Sequence, residues 1–332
     1  MAAIAVFFKG PRSSKEDLSF RERLKLFDLW GTLAFLPAIV CLLLALQWGG
    51  TKYAWKSAQV IVLLVVFFVL VCVFAVIQVW KQENATLPPR ILKQRSVASG
   101  AWFGTCIGAV LLLAVFYLPI WFQAIKGVSA MKSGIMNLPL ILSLVVASVL
   151  AGGVVTAVGY YTPFMIASSI VTSIGGGLIS TLKVNSGHSM WIGYQTLLGL
   201  GLGMGMQQPL MAVQAVLDME DVPIGTSIIV FAQTLGGALL ISVGQNVLTN
   251  RLVSGLLEAV PSLNPNIVLQ TGATSLKTAI DPQYMDGVLF AYNRALDQTF
   301  YVLTAMACLT IFGALGTEWR SVKEKKVETT TA

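Results

Sequence analysis

Apolar residues occur along this chain in runs of about 20 positions, and short polar segments separate the runs. The hydrocarbon core of a bilayer is about 30 Å thick, which requires roughly 20 residues of α-helix. Irregular backbone cannot face lipid, because its polar groups would lack hydrogen-bond partners. The pattern therefore predicts an all-α polytopic membrane protein with about eight transmembrane helices. The predicted spans are residues 28–48, 57–80, 96–123, 133–158, 162–182, 189–217, 223–249 and 297–317.

Three stretches, residues 133–182, 184–217 and 222–250, contain no Asp, Glu, Lys or Arg. A helix in contact with water needs a polar stripe on its solvent side, and these stretches offer none. The first stretch is long enough for two spans and must contain a connection between them. Gly159 and Pro163 are typical of a tight turn, so we predict the connection there.

The overall composition excludes a soluble enzyme, a nucleic-acid-binding protein and a disordered chain. Hydrophobic residues make up 56% of the sequence and charged residues 11%. An average soluble domain has about 45–50% apolar and about 25% charged residues. The net charge of +7 does not alter this conclusion, because the basic residues lie between the apolar runs. The predicted surroundings are a lipid bilayer, with no nucleic acid as a partner.

The distribution of basic residues predicts the orientation in the membrane. Cytoplasmic segments carry an excess of Lys and Arg. With the N-terminus inside, 14 of the 22 Lys and Arg residues fall in cytoplasmic segments. Both termini are therefore predicted to be cytoplasmic.

Residues 251–296 form one long outer loop in this topology. The segment has mixed composition and contains Pro261, Pro265 and Pro282, while residues 285–295 follow a helical spacing. Long loops are often functional or partly disordered. A lid at the membrane surface and a plain solvated connector are both compatible with this sequence.

No residue pattern typical of catalysis or metal binding is present. The four cysteines, Cys41, Cys72, Cys106 and Cys308, lie inside apolar runs, where small buried side chains are expected. We find no nucleophile and base set, no metal-ligand spacing and no phosphate-binding loop. The sequence thus predicts no catalytic residue, no metal and no cofactor, and the protein is not expected to be an enzyme.

Carboxylates are expected only at the ends of the spans, at Asp28, Asp218, Asp297 and Glu318. Proton pathways in membrane proteins are usually built from intramembrane Asp, Glu or His. The spans of this chain therefore contain no obvious proton relay.

Several uncharged polar side chains lie within or near the predicted spans. Such groups are costly in a membrane and therefore informative. Hydrogen bonding between helices and lining of a cavity for an amphiphilic ligand are both compatible with them. The candidate cavity residues are Tyr117, Asn137, Gln207, Gln208, Gln214 and Gln233.

Alternating glycines in the sixth predicted span form two overlapping G-x-x-x-G pairs. Glycines at this spacing let two helix backbones approach closely in lipid. The motif does not distinguish static packing from an interface that moves. The candidate packing residues are Gly199, Gly201, Gly203 and Gly205.

Four segments together resemble fourteen-span drug:proton antiporters of the major facilitator superfamily, in the fungal toxin and multidrug efflux branch. Residues 26–33 (LFDLWGTL) contain the D-x-x-G-x-x-L element that opens the seventh span of those proteins. The other matching segments are 116–124 (FYLPIWFQA), 199–210 (GLGLGMGMQQPL) and 233–246 (QTLGGALLISVGQN). The resemblance covers the chain from its start to about residue 322.

The resemblance implies that the eight spans correspond to spans seven to fourteen, so that only the C-terminal part of such a transporter is represented. Residues 1–27 would be a cytoplasmic segment with the stub of a preceding span, and 28–95 two linker spans. Residues 96–319 would be the six-span C-terminal domain, and 320–332 a cytoplasmic tail. The proton-coupling carboxylate would then lie in the absent N-terminal half.

The implied function is the efflux of an amphiphilic organic molecule, such as a toxin, secondary metabolite or drug, in exchange for protons. In such transporters the substrate site lies near the bilayer midplane between two halves. The plasma membrane is the expected location, with the vacuole as the alternative. Three other interpretations stay open: a truncated product without activity, a siderophore or amino-acid transporter, and a membrane subunit that does not transport.

Overall fold

The computed structural model describes residues 28–82 and 85–321, without the side chains of 277 and 278. Its regular secondary structure within these ranges is helical, with one 3₁₀ turn at Ala273–Ser275. Predicted segment 1–27 and most of the tail 320–332 lie outside the described residues. The α-helices are α1 (Leu29–Trp48), α2 (Ala58–Lys81), α3 (Pro89–Leu92), α4 (Arg95–Ala124), α5 (Ala130–Met136), α6 (Leu138–Val158), α7 (Thr162–Ile179), α8 (His188–Met206), α9 (Gln208–Val216), α10 (Val222–Ala259), α11 (Pro265–Gln270), α12 (Leu276–Ala279) and α13 (Pro282–Gly316).

Seven helical segments in the described ranges are long and apolar enough to cross a membrane, with α5 and α6 taken as one segment. The remaining predicted span, residues 189–217, corresponds to α8 and α9. Glycines and Gln195 lower the mean hydropathy of α8, which has the length of a span at 19 residues. The prediction of an all-α polytopic membrane protein is confirmed.

Prolines interrupt two of the predicted spans. Asn137 separates α5 from α6 and precedes Pro139 by two residues, while Gln207 separates α8 from α9 and precedes Pro209 by two residues. Proline has no N–H to donate to the preceding turn and therefore weakens the helix there. Helix α4 nevertheless continues through Pro119 to Ala124.

The six predicted C-terminal spans form one packed unit around α4. Helix α4 packs against α10, α13 and α9, while α8 packs against α6 and α7, and α13 completes the unit by contacting α7 and α10. Helices α1 and α2 pack against each other, and α1 contacts the unit through α10. The largest cluster of buried apolar side chains lies inside the six-span unit.

The connection before the last helix is shorter than the predicted loop 251–296. Helix α10 continues to Ala259 and α13 begins at Pro282, so residues 260–281 connect them through short helical segments. The two extensions pack together, since Gly255 lies against Ala291 and Gly287 against Val260. The charged residues of these two helix extensions give the hydropathy pattern of a loop. In the structure these residues lie on the exposed side of the packed helix pair.

The tight connection predicted at 159–163 is present, and Gly159 ends α6 with a φ of 95°.

Candidate functional site

The break between α8 and α9 brings three of the predicted glutamines together. The amide nitrogen of Gln208 donates to the carbonyl of Met204 at 2.9 Å, and that of Gln233 on α10 donates to the carbonyl of Met206 at 3.1 Å. Both carbonyls belong to the last turn of α8, where the helix ends. The side chain of Gln207 is exposed at the break itself.

Gln207, which caps the start of α9, lies on the same side as Met211 and Gln214 of this helix. Gln207 and Gln214 are exposed and Met211 is half-buried between them. These three positions are spaced by four and three residues, so they form a continuous stripe at the edge of the six-span unit. We call this set the α9 stripe. Gln233, which is half-buried, lies next to the break at which the stripe begins.

Tyr117 and Gln208 are fully buried within the six-span unit. The Tyr117 hydroxyl donates to the carbonyl of Ile241 at 2.8 Å, which links α4 to α10. The side-chain oxygen of Gln208 has no hydrogen-bond partner among the described residues. A ligand that approaches this unit from outside meets the α9 stripe before it meets either of these side chains.

Asn137 lies at the other helix break, apart from the α9 stripe. It is buried, and its side-chain oxygen has no hydrogen-bond partner within the described ranges. Gln195 on α8 lies close to this break, because its amide nitrogen donates to the carbonyl of Met136 at 3.1 Å. Sequence reasoning missed Gln195, although a glutamine within an uncharged apolar run was a sufficient signal.

A second polar cluster connects α4, α13 and the segment after α7. The Trp121 indole donates to the side-chain oxygen of Asn293 at 2.8 Å. The amide of Asn293 donates to the carbonyl of Leu182 and to Asp297 Oδ2, both at 2.9 Å. Asp297 was expected at the end of a span, but it lies inside α13 because this helix begins at Pro282.

The D-x-x-G element forms a third cluster at the start of α1. Asp28 is buried and accepts hydrogen bonds from Gly31 N, Gln78 Nε2 and both donors of Thr86, and Lys81 Nζ lies 3.1 Å from its carboxylate. Burial alone would raise the pKa of this carboxyl, but its hydrogen bonds to Gly31, Gln78, Lys81 and Thr86 lower the pKa to about 2. The carboxylate therefore stays ionised and joins α1, α2 and the segment after α2.

The element requires glycine at its fourth position. A Cβ added at Gly31 would collide with the Asp28 carboxylate and would lie 2.7 Å from Gln78 Nε2. The D-x-x-G spacing thus reflects the packing of the α1 backbone around the buried Asp28 carboxylate.

The alternating glycines of α8 lie at contacts with two different helices. A Cβ at Gly199 or Gly203 would collide with α6, near Ser143 and Leu144. A Cβ at Gly201 or Gly205 would collide with Thr172 or Ser168 of α7. Each G-x-x-x-G pair therefore allows the close approach of one neighbour.

In the part of the chain that the structure describes, no three His, Cys, Asp or Glu side chains are grouped so that they could hold a metal ion. The four cysteines are free thiols. The arrangement of the α9 stripe can supply hydrogen bonds and apolar contacts to a ligand.

A scan of the chain against family profiles gave no match. The MFS-type efflux pump MFS1 of Arthroderma benhamiae is 53% identical over 327 residues, which cover 98% of this chain and 61% of that protein. The MFS acetylaranotin efflux transporter of Aspergillus terreus is 47% identical over 310 residues, which cover 93% of this chain and 69% of the transporter. The rubrofusarin-specific efflux pump of Gibberella zeae is 46% identical over 320 residues, covering 96% and 58%. The chain spans about three fifths of the length of the first and third of these curated relatives.

Proposed function

Because this chain belongs to the major facilitator superfamily, among its fungal efflux pumps, we propose that it forms the C-terminal part of a transporter that exports an amphiphilic organic molecule in exchange for protons. Helices α1 and α2 would be the linker spans, and α4 to α13 the C-terminal domain. The cargo would be a secondary metabolite, toxin or drug, since two relatives are named for efflux of acetylaranotin and rubrofusarin.

The observation that supports this proposal best is the α9 stripe. Its two amides are exposed at the edge of an otherwise apolar unit, next to a break in a membrane helix. Ligand sites typically combine an apolar lining with a few polar groups that fix orientation. Transporter sites are commonly formed by interrupted helices at the interface of two repeats. Gln207, Gln214 and Gln233 would donate and accept hydrogen bonds at such a site.

Tyr117 and Gln208 would support the site from behind, whereas Asn137 lies at the other helix break and would not contact this site. Tyr117 and Gln208 are buried, and their hydrogen bonds to Ile241 and Met204 hold the helices next to the exposed amides. The proton-coupling carboxylate would lie in the part of the relatives that this chain does not match. The transporter would reside in the plasma membrane, with both termini in the cytoplasm.

A chimera tests this proposal. The matching region of the Arthroderma pump is replaced by this chain, and efflux of rhodamine 6G and of two further amphiphilic dyes is measured in yeast cells. We expect Gln207→Leu, Gln214→Leu and Gln233→Leu to change the relative efflux of the three dyes. Gln245→Leu is the matched control, because Gln245 is exposed on α10 and bonds only locally, to Thr249 at 3.3 Å.

An equal loss for all dyes that follows a lower protein level would assign the three glutamines to packing instead. A chimera that inserts normally but takes up labelled siderophores or amino acids, without dye efflux, would contradict the proposed export.

A further inference from the structure

A cavity of about 500 Å³ lies between the end of α1, the segment 49–57 and the C-terminal half of α10. Cavities that hold small molecules have volumes of about 300–1,000 Å³. None of the residues around this cavity belongs to the α9 stripe. The residues that line it are Leu46, Trp55, Val243, Asn246, Val247, Asn250, Arg251 and Ser254.

One side of α10 forms the main wall, and its polarity changes along the helix axis. Val243 and Val247 are apolar, whereas Asn250, Arg251 and Ser254 follow within two further turns. Each of these residues has another of them three or four positions away along the chain, so they lie on a single face of α10. The wall extends over about 16 Å, given a rise of 1.5 Å per residue. A molecule with an apolar body and a polar head matches this gradient.

The polar end of the cavity carries a positive charge. Arg251 is exposed and forms no ion pair within the described ranges, whereas Arg294 on α13 pairs with Glu258 at 3.5 Å. Asn250 and Ser254 are engaged with backbone carbonyls of their own helix, at 2.9 and 3.0 Å. The guanidinium of Arg251 is therefore the group available to hold an anion, and its fork of donors suits a phosphate.

The surroundings of the cavity indicate the membrane–water boundary. Helix α10 has 38 residues and is about 57 Å long, so it extends beyond a bilayer core of about 30 Å. Trp55, which is 45% exposed, lies on the cavity wall. Nearby, Lys52 Nζ lies over the ring of Trp48 at 5.2 Å. Tryptophans concentrate at both membrane–water interfaces, which is the depth of the lipid headgroups.

The walls of the cavity are fixed by close contacts. Gly50 has a φ of 74°, and a Cβ at this position would lie 2.6 Å from both Asn246 Oδ1 and Trp55 Nε1. Asn246 also donates its amide to the carbonyl of Leu46 at the end of α1. The cavity is therefore a defined gap between the linker helices and the six-span unit.

We propose that this cavity binds one phospholipid, whose phosphate contacts Arg251 and whose acyl chain lies against Leu46, Val243 and Val247. The lipid fills the gap between α1 and α10 and attaches the linker helices to the six-span unit. This site does not depend on the transport activity proposed above.

The experiment uses the purified chain in dodecyl maltoside and native mass spectrometry. Phosphatidylglycerol is compared with diacylglycerol of identical acyl chains, which lacks the anionic phosphoglycerol headgroup. We expect phosphatidylglycerol to be retained about fivefold more strongly, the effect of one basic residue near a lipid phosphate. Arg251→Gln should abolish this preference, whereas Arg251→Lys should retain it. Lys183→Gln, which changes an exposed basic residue that does not line the cavity, is the control and should also retain it.

A second variant tests the apolar part of the site. Val247→Trp should reduce retention of both lipids without lowering the midpoint of thermal unfolding. Equal retention of the two lipids by the unmodified chain would overturn the proposal, as would an unchanged preference in Arg251→Gln. Displacement of phosphatidylglycerol by equimolar inorganic phosphate would also overturn it, because the site would then bind a free anion.

Discussion

At the residue scale, the D-x-x-G element shows how a short motif encodes a buried charge. Asp28 has almost no exposed surface, because polar groups of Gly31, Gln78, Thr86 and Lys81 surround its carboxylate. A buried charge is tolerated only when its hydrogen-bonding capacity is satisfied. The sequence identified the element by resemblance, but its partners, 50 and 58 residues away, follow only from the packing of α2 against α1.

Replacement of this carboxylate should destabilise the protein in a pH-dependent way. We expect Asp28→Asn to lower the free energy of unfolding by about 1–3 kcal/mol at neutral pH, since hydrogen bonds to a charged group are lost. The folded-state pKa of about 2 lies below the ordinary value of 3.8. The contribution of Asp28 is therefore complete above about pH 4 and is lost as the pH falls through about 2.

Chemical unfolding of both proteins in detergent between pH 2 and pH 7 measures this contribution. The difference between the two free energies should shrink below about pH 4. Asp286→Asn, which changes an exposed carboxylate on α13, serves as the control and should have little effect. A difference between Asp28→Asn and the unmodified chain that grows on acidification would contradict the role assigned to Asp28.

At the scale of the helices, α8 packs closely on two sides because its glycines alternate. Gly199 and Gly203 lie against α6, while Gly201 and Gly205 lie against α7. The sequence predicted close helix packing at these positions but not which helices take part. Which helices contact these glycines depends on the order of the helices around α4. A hydropathy pattern contains no information about that order.

A single methyl group on the α7 side should disturb this packing. A Cβ at Gly201 would lie 2.5 Å from the backbone nitrogen of Thr172, whereas a Cβ at Gly193 of the same helix meets no atom within 4 Å. We expect Gly201→Ala to lower the free energy of unfolding by about 1–3 kcal/mol through overpacking. Gly193→Ala should leave it unchanged or raise it slightly.

Thermal unfolding of the two variants, followed by tryptophan fluorescence, provides the comparison. Equal unfolding midpoints for Gly201→Ala and Gly193→Ala would mean that α7 and α8 separate easily, as expected for a sliding interface.

At the scale of the whole molecule, the described residues form a helix pair, α1 and α2, and the six-span unit, which meet where α1 contacts α10. The α9 stripe lies at the edge of this unit, with the side chains of Gln207 and Gln214 exposed. In transporters of this superfamily the substrate site lies between two such units. The chain would therefore supply one side of the proposed site.

The purified chain alone should not couple substrate movement to protons. In liposomes with a pH-sensitive dye inside, we expect rhodamine 6G to cause no change in proton flux, because the second side of the proposed site and the proposed coupling carboxylate would lie in the part of the relatives that this chain does not match. The chimera with the Arthroderma pump is the positive control. Substrate-dependent proton flux through the 332-residue chain, abolished by Asp297→Asn, would instead assign coupling to this chain.

The sequence by itself determined the class of protein, since a bilayer accepts only helices whose backbone groups are satisfied internally, and 20-residue apolar runs report this directly. It also determined the turn at Gly159, which is a local effect of backbone chemistry. The tertiary structure decided which prolines accompany a helix break, since α4 continues through Pro119 whereas breaks lie near Pro139 and Pro209. Only the tertiary structure decided that α10 and α13 extend as a packed pair beyond the predicted spans 223–249 and 297–317. It also decided that Tyr117 and Gln208 are buried while Gln207 and Gln214 are exposed, and that Asp297 belongs to a cluster with Trp121. These features depend on which side of a helix meets which neighbour. In an almost uniformly apolar helix, hydropathy carries little information about its orientation, and contacts between distant residues decide it.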